Sequence, residues 1–249
     1  MIRILKGLGT ALLFPIIALC WAPTLLMPFL DFRYYRGPIS DHFDGERFFN
    51  AYTPRGPQSP SAGFFLGRVG GEVRAAWPEQ VQVTPTIPPA RVQGDAMKVT
   101  WIGHATVLIQ TGGLNILTDP IWSERASPVS FLGPKRVRAP GVRFDDLPKI
   151  DLVLISHNHY DHMDLPTLRR LWERDKPQIV VSPGNDTILK RVGIPSLPMD
   201  WRGGYWINDA CDPSIAPCRA AIDVTVQPNH HWSSRWAWIA IARSGRPSP

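Results

Sequence analysis

The chain has 249 residues, 44% hydrophobic and 19% charged, which supports one substantial buried core and excludes a disordered or fibrous polymer. Its formal charge of +6 suits a nucleic acid or an anionic lipid surface, but no nucleic-acid-binding motif accompanies it. Three cysteines do not make a disulfide framework.

Arg3 and Lys6 precede Leu8 to Leu30, a run of 23 residues without a formal charge and about the length of a bilayer-crossing helix. Pro15, Pro23 and Pro28 would kink it, and no clear Ala-x-Ala cleavage site follows. Residues 1–30 are therefore expected to be an uncleaved membrane anchor rather than a removed signal peptide, with a buried soluble helix as the alternative. Cys20 in this run follows Leu19, too large for lipoprotein processing. The leading positive charge favours a catalytic domain on the periplasmic or extracytoplasmic side, although Arg33 and Arg36 weaken the bias.

Residues 31–94 are rich in Pro, Gly and aromatics, among them Tyr34-Tyr35, Phe48-Phe49 and Phe64-Phe65, and show no sustained period. They read as an extended wrapping segment with one short helix near Gly71 to Trp77.

Residues 95–249 read as the core domain. Lys98 to Ile102, Thr106 to Gln110 and Leu114 to Leu117 are short β-branched runs, the last two joined by the hairpin turn Thr111-Gly112-Gly113. Asp119 closes the third, before Pro120. Residues 120–149 make a long loop whose basic stretch, Lys135-Arg136-Val137-Arg138 to Arg143, is either a solvated surface or a contact for membrane phosphate.

Leu152 to Ile155 then reads as a buried strand that delivers Ser156-His157-Asn158-His159-Tyr160-Asp161-His162. His157 and His159, one residue apart, point the same way in extended chain and can pinch one cation. Asp161 and His162 fall in the following turn, where they can face a second. Imidazole and carboxylate suit Zn2+, and less specifically Fe2+ or Mn2+. Asp164 caps a helix with Pro166 in its first turn and Leu165, Leu168 and Leu171 at helical spacing. Gln178 to Ser182 is another strand, Gly184-Asn185-Asp186 opens a helix to Arg191, and Ile222 to Val226 is a strand ending near His230-His231. The alternation predicts α/β layers. Cys211 and Cys218 can pair in an oxidising compartment or remain free thiols.

The His-x-His-x-Asp-His run resembles the signature of the metallo-β-lactamase superfamily. Trp101-Ile102-Gly103-His104-Ala105-Thr106, Leu117-Thr118-Asp119-Pro120 and His231-Trp232-Ser233-Ser234-Arg235 resemble its branch of N-acylphosphatidylethanolamine-hydrolysing phospholipase D, over about residues 95–237. The resemblance implies an αββα sandwich and two Zn2+. His157, His159 and His231 would hold one metal and Asp161 and His162 the other, with Asp161 also passing a proton. Asp119 would support the centre without ligating, and His104 would orient or pack. The implied reaction is attack by a metal-bound hydroxide on the phosphodiester of an N-acylated glycerophospholipid, giving phosphatidic acid and an N-acylethanolamine. A lactonase or other ester hydrolase is the alternative on the same fold.

The family's bridging Asp, in a Gly-Asp-Thr-Gly segment, and its last His do not occur in this sequence, which runs 18 residues beyond His231. The second half of the sandwich is accordingly expected to be incomplete, and an inactive truncated remnant is a further reading. The adjacent reading frame of residues 238–249 can encode Leu-Asp-Arg-Asn-Arg-Ala-Leu-Trp-Ala-Ala-Phe-Ala, which resembles the family after its His-Trp-Ser-x-Arg motif. A one-base frameshift near Ala237 would explain the departure, against an ordinary terminal strand.

Overall fold

The computed structural model describes residues 34–46, 48–50, 78–131, 133–207, 222–229 and 231, all within one of the chain's two units. The expected span Leu8 to Leu30, the helix near Gly71 to Trp77, all three cysteines, His230 and the terminal segment lie outside the described residues. Among the described residues, no helix is long and apolar enough to cross a membrane.

The main sheet has six strands in sequence order: β1 (Met97–Gly103), β2 (Thr106–Thr111), β3 (Leu114–Thr118), β4 (Leu152–Ile155), β5 (Gln178–Val181) and β6 (Leu197–Pro198). The first three are antiparallel and joined by tight turns. From β3 onward the pairing is parallel, with α1 (Leu165–Asp175) crossing from β4 to β5 and α2 (Asn185–Arg191) from β5 to β6. The sheet is therefore mixed, as α/β layering requires once crossover helices replace hairpins. A separate antiparallel pair, β7 (Gly204–Ile207) and β8 (Ile222–Thr225), completes the described strands.

Strand periodicity divides the core between two faces. Leu108, Leu117, Val153, Ile155, Ile179 and Val181 point to the side where Leu168, Leu171, Ile188 and Leu189 of the helices pack. Leu114, Ile116, Leu152 and Val180 point the other way, against Ile207, Met199 and the partly buried Tyr205 and Val224 of the β7–β8 side. The helices and the β7–β8 pair thus pack on opposite faces of the sheet.

The wrapping segment is fastened by polar contacts. Arg91 forms a bidentate ion pair with Asp151, whose Oδ2 also accepts the Asn115 backbone N–H at 2.8 Å. The fully buried Asn115 side chain donates to Ala90 O (2.9 Å) and Lys149 O (2.7 Å) and accepts from Gln110 Nε2 (2.9 Å). These bonds satisfy groups that would be costly to bury alone. Farther upstream, buried His42 lies between Asp41 (Nδ1 to Oδ1 2.5 Å) and Asp200 (Nε2 to Oδ1 2.8 Å) and stacks on Trp201 at 4.1 Å.

Asp164 departs from its expected role. It occupies the N-cap position of α1 but makes no side-chain cap bond. Its carboxylate accepts the Ser123 N–H (3.0 Å) and hydroxyl (2.8 Å) and the Thr167 hydroxyl (2.6 Å), and so pins the loop after β3 to the helix start.

Candidate metal centre

Three turns at one end of the sheet bring the chemistry-bearing residues together. The β1–β2 turn carries His104, the exit from β3 carries Asp119, and the segment after β4 carries His157 to His162. His104 (φ 51°) and Asp119 (φ 36°) both adopt left-handed backbone, uncommon for residues other than glycine and concentrated at functional sites.

Two threonines lock these turns. The fully buried Thr106 donates its hydroxyl to Asp119 O (2.7 Å) and accepts Ile121 N–H (3.2 Å). Thr118 donates to Ala105 O (2.8 Å) and accepts Val107 N–H (3.1 Å). Each threonine therefore ties its own strand to the neighbouring turn. A further bond, Asp119 N–H to Leu154 O at 2.9 Å, fixes the aspartate turn to β4.

Two donor groups result. The ligating atoms of His157, His159 and His231 lie within 4.8 Å of one another, as do those of His104, Asp161 and His162. In the first, His157 Nε2 is 2.9 Å from His159 Nδ1 and 3.1 Å from His231 Nε2. In the second, His104 Nε2 is 2.9 Å from Asp161 Oδ2 and 3.3 Å from His162 Nε2. The sequence casts His104 as an orienting or packing residue, yet its ring nitrogen reaches the same space as Asp161 and His162. The Gly-His-Ala-Thr turn signals a tight reversal at His104 but not the direction in which it sends the imidazole.

Asp119 sits behind both groups. Its Oδ1 accepts the Ser156 N–H (2.7 Å), and its Oδ2 lies 2.8 Å from Ser156 Oγ and 2.9 Å from His162 Nδ1. An ionised carboxylate only accepts, so His162 carries its proton on Nδ1 and presents a lone pair on Nε2. Ser156 has a single hydroxyl proton. Given to Asp119, it leaves the oxygen to accept from His157 Nδ1, 2.9 Å away, so His157 also presents Nε2 as a lone pair. One buried carboxylate fixes a tautomer in each donor group.

The electrostatics differ between the two groups, and those of the three-histidine group favour cation binding. Burial, reinforced by the neighbouring imidazoles of His162, His159 and His231, pushes His157 down to about 4. Burial and the His231 imidazole likewise lower His159. Burial also works against protonation of His162, but the hydrogen bond and charge of Asp119, with the charge of Asp161, outweigh it and raise that ring. The lowered imidazoles of His157 and His159, beside a group that includes the Asp161 carboxylate, are a donor set for a borderline divalent cation, whereas His162 gives up a proton when it ligates. The residues present fit such an ion.

An α/β fold with two His/Asp donor groups at the strand ends defines a metal-binding domain. The Beta-lactamase superfamily domain matches residues 114–247, more than half of the chain, and the chain belongs to the metallo-β-lactamase superfamily. It is 33% identical over 157 residues to an uncharacterised protein of Mycobacterium tuberculosis, covering 61% of this chain and 39% of that one. It is 49% identical over 80 residues to N-acyl-phosphatidylethanolamine-hydrolyzing phospholipase D 1 of Caenorhabditis elegans, covering 32% of this chain and 22% of the relative. Among solved structures it is similar to CmlA, a diiron beta-hydroxylase from Streptomyces venezuelae, with 27% identity, a TM-score of 0.38, and coverage of 55% of this chain and 24% of that one. The chain spans well under half the length of these relatives.

Proposed function

We propose that this chain is a zinc-dependent hydrolase of phospholipase D type, acting on the phosphodiester of N-acylphosphatidylethanolamine-like lipids. The observation that carries the reading is the presence of two donor groups, His157–His159–His231 and His104–Asp161–His162, with one carboxylate, Asp119, orienting a ring in each. The phospholipase name of the nematode relative, 49% identical over 80 residues, supports the substrate class.

In this reading His157, His159 and His231 would hold one Zn2+, and Asp161, His162 and His104 would hold a second. Bound zinc supplies the Lewis acidity that makes water a nucleophile at neutral pH. The chain's own residues supply position and proton handling. His157 stays neutral, so its lone pair is available without proton release. Asp161 accepts the proton that the attacking water loses and returns it to the departing alkoxide. The β7–β8 pair belongs to the second sheet of an αββα sandwich, residues 1–30 anchor the domain, and the domain lies on the extracytoplasmic side.

The test is hydrolysis by the full chain, stripped of metal and reloaded with zinc, iron or manganese, on a panel of N-acylphosphatidylethanolamine, phosphatidylcholine, lactones and simple esters. Zinc-restored release of phosphatidic acid from the N-acylated lipid is expected. Turnover of lactones without phosphodiesters would move the assignment to a lactonase, and a metal-loaded chain that cleaves nothing on the panel would end the hydrolase reading.

A further inference from the structure

We infer that residues 126–131, with Gly133 and Pro134 closing the neck, in the loop after β3, form a finger that docks on an anionic phospholipid bilayer beside the metal centre. The inference deepens the lipid-hydrolase reading and rests on it for its purpose. It stands on the loop's own geometry and charge.

The tip is apolar and in water. Phe131 is 79% exposed and Val129 is 37% exposed, within Ser127-Pro128-Val129-Ser130-Phe131. Together the ring and the valine present apolar surface that a second surface can cover. The neck below the tip is closed by hydrogen bonds. Arg125 and Lys135 pair as an antiparallel bridge, Ala126 N–H bonds Pro134 O at 3.1 Å, Arg136 N–H bonds Glu124 O at 2.8 Å, and Arg125 Nη1 donates to Gly133 O at 2.6 Å. Gly133 makes the closure possible, since at φ 102° a Cβ there would stand 2.7 Å from Ser127 Cβ.

The charge around the tip selects the occupant. Residues 120–143 contain Arg125, Lys135, Arg136, Arg138 and Arg143; Lys135 pairs with Glu124 at 2.9 Å and Arg143 with Asp146 at 2.5 Å, so Arg125, Arg136 and Arg138 carry the excess positive charge. An apolar tip flanked by cations complements a surface of phosphates over hydrocarbon, where the ring enters the acyl boundary and the cations meet headgroups. The patch is continuous with the metal centre. Arg136 Nη2 donates to Ile121 O at 3.0 Å, and its Nη1 lies 3.2 Å from where a Cβ on Gly103, the residue before His104, would sit. Arg138 lies 4.2 Å over the half-exposed Trp101 ring, whose Nε1 donates to His104 O at 2.9 Å. An indole with one wet edge beside a cation is typical of a membrane interface.

The experiment uses the full chain with Cys20, Cys211 and Cys218 changed to Ser and Phe131→Cys carrying an environment-sensitive fluorophore. With vesicles of phosphatidylcholine plus phosphatidylglycerol, the emission should shift to the blue and be quenched by lipids spin-labelled in the acyl chain. Pure phosphatidylcholine vesicles and high salt should weaken both effects. A label that stays in water while the chain sediments with the anionic vesicles would overturn the inference, because another segment then does the docking. In the parallel assay, Phe131→Ser should raise KM for lipid in anionic vesicles about tenfold, with turnover of a monomeric short-chain substrate unchanged. Equal activity on both substrates would again overturn it. Insertion of the label by a chain that cleaves no lipid would leave the docking surface standing and remove the hydrolase reading. Phe131 is 79% exposed, so Phe131→Ser should leave the melting temperature unchanged, which separates loss of docking from loss of fold.

Discussion

His162 and Asp119 are 43 positions apart in sequence, and Nδ1 of the first lies 2.9 Å from Oδ2 of the second. The same carboxylate oxygen lies 2.8 Å from Ser156 Oγ, which is in turn 2.9 Å from His157 Nδ1. A residue that reaches no cation space itself thereby decides which ring nitrogen each donor group offers.

Asp119→Ala should lower zinc content at both donor groups together, with activity falling about tenfold to a hundredfold, the range for losing a partner that orients a metal-ligating His. Ser156→Ala should weaken only the three-histidine group, because His162 keeps its direct bond to Asp119. Metal per chain, measured by mass spectrometry after dialysis, distinguishes the two patterns.

His104→Gln tests whether the third imidazole of the second group binds metal. Loss of one equivalent of zinc, with the other retained, is expected if His104 is a donor. Unchanged stoichiometry with a lowered melting temperature would return it to a packing role.

Asp151→Ala removes both carboxylate oxygens that the Arg91 guanidinium binds, leaving it only the 2.9 Å bond to Gly113 O, and removes the partner of the Asn115 N–H. Because both side chains of the ion pair are largely shielded from solvent, the loss leaves the guanidinium without its counter-charge and removes a partner of a strand N–H, and destabilisation of about 2 kcal/mol is expected. Chemical denaturation measures it. Asp151→Asn should recover part of the loss by still accepting the Asn115 N–H.

His42 gives the fold a pH dependence on the alkaline side. Burial opposes its protonation, but the hydrogen bonds and charges of Asp41 and Asp200 prevail and raise it above the ordinary 6.5. A raised folded value means that the clamp contributes fully below pH 6.5 and is lost as pH rises through the folded value. Melting temperature should therefore fall by a few degrees over that interval in the parent chain. His42→Gln should flatten this part of the profile while leaving the rest unchanged.

The hairpin over residues 106–118, the strand before His157 and the helix from Leu165 were legible because each shows its period and a turn or breaker at its end. The placement of the His-x-His-x-Asp-His run after a buried strand was legible for the same reason: a short run of Leu152-Val153-Leu154-Ile155 has little other use. His104 was less visible. It reaches Asp161 and His162 only through a left-handed turn, and nothing in the local pattern shows where a reversed chain sends its side chain. The strand Gly204–Ile207 was not legible, since four residues beginning with Gly carry no alternation. Asp164 looked like a cap because cap and loop-pin present the same residue at the same position, and only the tertiary neighbours Trp122 and Ser123 separate the two uses.

The donors also link distant parts of the polypeptide, with His157 and His231 separated by 74 positions and His104 and His162 by 58. An ion held across those intervals would act as a removable crosslink, closing two long loops whose closure otherwise costs chain entropy in the unfolded state. Stability and chemistry would then share one switch. A chelator would loosen the segment that carries His231 from the sheet before it melted the β1–β3 meander, and limited proteolysis would detect that order as early cleavage between β7 and His231.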